Sequence, residues 1–130
     1  LGEFAVVGPR VRLGPGCKVG MFASVQEDVE LGEFCEVGER ATLRGHLRAG
    51  VRNKFRENAV IGGHSSHQGA VRCGFIEIGS SCTFETCSVV LAPRGRGTPE
   101  KMLPGVTRIG DRAFIHMRGE VSHDCVLEEE

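Results

Sequence analysis

The chain has 130 residues and a formal net charge of −1, the size of one domain and too little positive charge for a nucleic-acid binder that works through a basic surface. No apolar run approaches the ~18 residues of a membrane-spanning helix, so neither nucleic acid nor a membrane span is expected. Gly occurs 19 times, Phe only 7 times, and Trp and Tyr not at all, which excludes a core built on large aromatics and leaves one built from many small aliphatic side chains.

The N-terminal half shows how. Stepping by six from Leu1 meets Val7, Leu13, Val19, Val25, Leu31, Val37, Leu43, Ala49, Phe55 and Ile61 without one polar residue. The next residue is usually Gly, as at Gly2, Gly8, Gly14, Gly20, Gly32, Gly38, Gly50 and Gly62. The fourth residue after each apolar one is mostly small, as at Ala5, Cys17, Ala23, Cys35, Ala41 and Ala59. An amphipathic helix would need three-and-four spacing, which is missing. In a strand, residues two apart share a face. Ala5 therefore points inward with Val7, Cys17 with Val19 and Cys35 with Val37, while Val6, Lys18 and Glu36 point out. Gly sits where the chain bends, because it tolerates backbone angles that other residues avoid. Three hexads make a triangular turn of about 18 residues, and successive turns stack as parallel strands about 4.8 Å apart. The pattern predicts an all-β parallel β-helix.

Two segments break the step. The first runs from Gly63 to Phe75, after which the period resumes at Ile78, Phe84 and Val90. The second runs from Ala92 to Arg108, and the period returns at Ile109, Ile115, Val121 and Leu127. Insertions in a repeat fold become surface loops, which often carry function. The expectation is about five coils with two inserted loops. Residues 1–130 read as one hexapeptide-repeat domain, and because Leu1-Gly2 is already in register without an initiating Met, as a fragment or truncated form of a longer chain. Cys17, Cys35, Cys82 and Cys125 fall at inward positions and no CxxC or zinc spacing occurs, so they read as reduced, small apolar fillers of a cytoplasmic protein. His64, His67, His116 and His123 share no metal-ligand spacing, and no metal site is expected. The basic run Arg40, Arg44, Arg48, Arg52, Lys54 and Arg56 reads either as a solvated face or as a docking patch for an acidic partner.

The order of parts narrows the reading: hexads, a loop after Ile61-Gly62, a short return at Ile78-Gly79, a second loop, then Thr107 to Leu127 with its Ser122-His123-Asp124-Cys125. This arrangement resembles the N-terminal half of the UDP-N-acetylglucosamine acyltransferases of lipid A biosynthesis, a family of hexapeptide-repeat transferases. It covers nearly all of this chain. The resemblance implies a left-handed coil, whereas parallel crossovers are normally right-handed and the period itself carries no hand. It further implies a homotrimer with sites between subunits, acyl carrier protein and a nucleotide sugar as partners, no cofactor, and transfer of an acyl group to a sugar hydroxyl. His123 matches the family's general base and Asp124 follows it; an imidazole titrates near neutrality and suits that task. Glu120, His67 and Arg118 are the candidates for holding substrate. Glu120 stands where the family has a second His, and the first loop lacks the family's Asp-x-Lys-Tyr element. Both departures leave open an alternative, a catalytically degenerate trimeric scaffold or binding protein on the same fold.

Overall fold

The computed structural model describes residues 2–26, 28–63, 74–91, 105–121 and 126–127. They form a left-handed parallel β-helix with no helical element. Seventeen strands among the described residues, β1 to β17 in chain order, build three sheets that are the faces of a triangular prism. The first face stacks β1 (Val6–Val7), β4 (Ser24–Val25), β7 (Thr42–Leu43), β10 (Val60–Gly63), β13 (Val89–Leu91) and β16 (Glu120–Val121). The second stacks β2 (Arg12–Leu13), β5 (Val29–Leu31), β8 (Leu47–Ala49), β11 (Gly74–Ile78), β14 (Gly105–Ile109) and β17 (Val126–Leu127). The third stacks β3 (Lys18–Val19), β6 (Glu36–Val37), β9 (Lys54–Phe55), β12 (Thr83–Phe84) and β15 (Phe114–Ile115). The chain visits the faces in strict rotation through five turns and begins a sixth, in line with the hexad count.

The expected inward positions form the core. Val25, Leu43, Ile61, Val90 and Val121 line up behind the first face, and Leu31, Ile78 and Ile109 behind the second. Behind the third face Phe55 and Phe84 stack with centroids 5.1 Å apart at an interplanar angle of 8°, a buried aromatic pair from consecutive turns. Each corner has its own inward side chain. The corner from third to first face carries Ala23, Ala41 and Ala59, whereas the corner from first to second carries Val29, Leu47 and Ile76.

The corner from second to third face carries Cys17, Cys35, Asn53 and Cys82, and these side chains do more than fill space. Cys17 Sγ donates to the Gly32 carbonyl at 3.1 Å, Cys35 Sγ to Gly50 at 3.2 Å and Cys82 Sγ to Gly110 at 3.0 Å. Each acceptor lies one turn further along the prism. Asn53 continues the series with Nδ2 donating to Gly79 O at 2.8 Å, while its Oδ1 accepts from the Cys82 backbone N–H at 2.8 Å. Burial pushes the Cys35 and Cys82 thiols up, which keeps the proton on sulfur that the hydrogen bond requires. The filler reading of the cysteines is thus incomplete: they are fillers that also tie turn to turn. Asn53→Ala should cost about 2–3 kcal/mol, because it strands the buried Cys82 N–H, whereas Cys35→Ala should cost about 1 kcal/mol or less, since the thiol is a weak donor. Thermal melts of the two variants check this, and equal losses would contradict it.

Two corners are regular. At each of them the third corner residue adopts a left-handed backbone, with φ between 58° and 63° at Phe4, Phe22, Arg40, Asn58, Cys87 and Arg118 on one and at Phe34, Arg52, Ser81 and Arg112 on the other. Such angles cost about 1 kcal/mol or more for a residue with a Cβ. The offset is visible: beyond the first turn, the N–H of each such residue reaches the carbonyl one turn back, as in Arg40 N to Met21 O at 3.0 Å and Arg52 N to Glu33 O at 2.9 Å. Side chains stack along the corners too. Phe4 lies on Phe22 at 5.1 Å, Arg40 sits over Phe22 and Arg52 over Phe34.

The outer surfaces differ by face. On the second, Arg12, Glu30, Arg48, Glu77 and Arg108 stand in register with alternating sign, so that no like charges are neighbours. Lys18, Glu36 and Lys54 do the same on the third. The first face presents Val6, Ser24, Thr42, Val60 and Val89, with no charge until Glu120 in the sixth turn.

Candidate functional site

Every irregular connection falls at one corner. The links between second and third face, and between third and first, are four residues long throughout. Between first and second face the chain passes through residues 8–11, 26–28 and 44–46 in the first three turns, then through 64–73, 92–104 and 122–125 in the next three. The strands flanking both insertions and the segment that holds His123 and Asp124 therefore border a single edge of the prism in consecutive turns. His67, His123 and Asp124 lie outside the described residues.

Along the described part of this edge is an ionic cluster. Asp28, at the second-turn corner, receives His46 Nδ1 at 3.1 Å and Arg48 Nη2 at 3.1 Å, while Arg48 Nη1 donates to the Asp28 carbonyl at 3.2 Å. Arg48 also lies 3.5 Å from Glu30 through Nε. The Arg48 hydrogen bond first, and that of His46 second, hold the Asp28 carboxyl below the usual carboxylate range. With Asp28 ionised, the His46 proton is assigned to Nδ1, which leaves Nε2 without a hydrogen bond among the described residues. The ring meets Phe75 of β11 edge-on at 5.7 Å, at the strand that follows the first insertion. At the foot of the same insertion, Arg44 buries its Nε without a partner among the described residues. Its carbonyl packs against Gly62, whose φ of 91° and lack of a side chain permit the approach.

The depressed Asp28 value sets a pH dependence. A carboxyl whose folded pKa lies below its unfolded one, near pH 4, adds stability above pH 4 that is lost as pH falls through the folded value. Asp28→Asn should therefore flatten the acid limb of a plot of melting midpoint against pH below about 4, and an unchanged limb would contradict the pairing.

The remaining sequence candidates are scattered. Glu120 projects from β16 on the first face, exposed and opposite Val89. Arg118 occupies the regular corner between third and first face, exposed with φ of 61°. Within the chain the strand β16 separates Arg118 from the irregular edge. The basic run forms no single patch: Arg40, Arg44 and Arg52 sit at three different corners, Arg48 on the second face and Lys54 on the third. A step of six residues moves the chain by one face, so a run of 17 residues, from 40 to 56, nearly encircles the prism.

Asp28 and His46 were not singled out by sequence, although a signal existed. They are 18 residues apart, one full turn, so an acid and an imidazole at that spacing stack directly. Among the described residues no cluster of three or more metal-type side chains occurs, and no helix is long and apolar enough to cross a membrane. Comparison with protein-family models and with curated proteins gives no match.

Proposed function

We propose that the chain is an acyltransferase of the hexapeptide-repeat kind, moving an acyl group from acyl carrier protein to a hydroxyl of a nucleotide sugar, in the cytoplasm and within lipid A biosynthesis. The observation that carries the reading is that the strands flanking two long insertions, and those flanking the connection that holds His123, border one edge of an otherwise regular prism. A rigid repeat that confines its departures to one edge has the form of a scaffold carrying a site. In the proposed chemistry His123 takes the proton of the sugar hydroxyl, the oxygen attacks the thioester carbon, and the carbon–sulfur bond breaks to release the carrier thiol. Asp124 orients the imidazole, and Glu120 and His67 contact substrate.

The active form is a homotrimer packed through the first face, the one side that presents small, uncharged and β-branched residues where the others present alternating charges. Charged residues are depleted at the centres of interfaces, which favours this face over its neighbours. In such a trimer Arg118 serves the edge of an adjoining subunit rather than its own.

The experiment is a thiol-release assay with an acyl carrier thioester and UDP-N-acetylglucosamine, run beside sedimentation equilibrium. Release that needs both substrates, from a trimer, is the expected result. A monomer at micromolar concentration overturns the assembly. A trimer that releases no thiol with any acyl chain decides for the second reading, the degenerate scaffold, which Glu120 in place of a second His and the missing Asp-x-Lys-Tyr element favour.

A further inference from the structure

Below the insertions, in the first three turns, the same edge encloses a cleft of about 460 Å³ lined by Arg10, Arg12, Asp28, Glu30 and Arg48 together with Pro9 and Val11. That volume suits a small molecule. Its chemistry is uneven. Arg48 is held between Asp28 and Glu30, and Asp28 is braced from behind by His46, so the floor is a fixed ionic lattice. Arg10 and Arg12 are exposed and have no ion pair or hydrogen bond with any described residue, although Arg12 stands in register beside Glu30. Two guanidinium groups without a partner among the described residues line the cleft beside two carboxylates that are paired with Arg48.

We propose that this cleft binds a small phosphorylated polyol or sugar, with Arg10 and Arg12 gripping the phosphate and the Asp28 and Glu30 carboxylates accepting hydrogen bonds from adjacent hydroxyls. Guanidinium forks match phosphate oxygens in pairs. A carboxylate offers about four acceptor sites, more than His46 and Arg48 occupy on Asp28. The carboxylates also define what is refused: a bare anion gains nothing from them and is repelled. Among the described residues the lining holds no aromatic ring and only Pro9 and Val11 as apolar side chains, which offers a nucleobase nothing to stack on and an acyl chain little to bury. Binding here does not depend on the acyl-transfer reading, none of whose residues lines this cleft.

The test is an amide NMR titration of the whole chain with three probes: glycerol 3-phosphate, inorganic phosphate and glycerol. Glycerol 3-phosphate should give saturable shifts at millimolar concentration, confined to Arg10–Arg12 and Asp28–Glu30. Inorganic phosphate should bind roughly tenfold more weakly, the equivalent of one lost charge-assisted hydrogen bond, and glycerol alone should be silent. The double variant Arg10→Gln/Arg12→Gln should abolish the response. Glu30→Gln should bring the two phosphates closer in affinity, and Arg108→Gln, on the same face but away from the cleft, should change nothing. Equal affinity for inorganic phosphate overturns the assignment of a hydroxylated ligand. Non-saturating shifts, or an undiminished response in the double variant, overturn the site itself.

Discussion

Val37→Asp should destabilise the protein by several kcal/mol, while Glu36→Gln, one residue away, should change stability by no more than about 0.5 kcal/mol. Val37 is 3% exposed between Val19 and Phe55, the partners above and below it in the third sheet. A carboxylate there meets no buried cation among the described residues, and it must either remain charged among aliphatic side chains or give up its charge at the cost of a raised pKa. Glu36 projects between Lys18 and Lys54 in water, where an ion pair contributes little. The contrast is sharp because a strand alternates faces with a period of two, so a register error of one residue exchanges the two outcomes. Urea melts of the two variants decide it, and similar midpoints would refute the register for the whole prism.

That register was legible because it repeats. Each inward position is tested again six residues later, so a single misread residue cannot move the frame. Handedness is a different matter. A right-handed coil of the same period buries the same residues, and the left hand followed from resemblance alone. The uses of individual inward residues were hidden as well. Cys35 and Ala41 both read as small and apolar, yet Cys35 donates to Gly50 O because the carbonyl of the next turn lies 3.2 Å from its sulfur. Which carbonyl comes within reach depends on how one turn is stacked on the next, and a six-residue period says nothing of that offset. The same limit hid the ionic edge. Arg12, Glu30 and Arg48 alternate at 18-residue steps, as do Lys18, Glu36 and Lys54, whereas reading charges along the chain suggested one basic run. Charge in this fold has to be read by turns and faces. Of the candidate site, the sequence located the edge through its two interruptions but not the Asp28–His46 pair beneath them, which interrupts nothing.

His123→Ala should lower the rate of acyl transfer by about 10²–10⁴-fold, the usual contribution of a positioned general base. The fold should be unaffected, because Val121 is buried and the strands on either side, β16 and β17, pair with β13 and β14 through backbone groups. A merely structural role for His123 would instead lower the melting midpoint and leave kcat in proportion to folded protein. The pH profile separates the two further. In the parent, kcat/KM should rise through the imidazole range as the base loses its proton, and in His123→Ala that limb should vanish along with most of the rate. Asp124→Asn should retain the limb but shift it, since a neutral neighbour no longer favours the protonated ring. Loss of the limb should accompany loss of kcat rather than a change in KM, because proton removal belongs to the transition state and not to substrate binding. A His123→Ala enzyme that retains activity within a few-fold of the parent, with that rising limb intact, removes His123 from the chemistry. The base must then be sought elsewhere on the same edge, where His46 already stands with its Nδ1 held by Asp28.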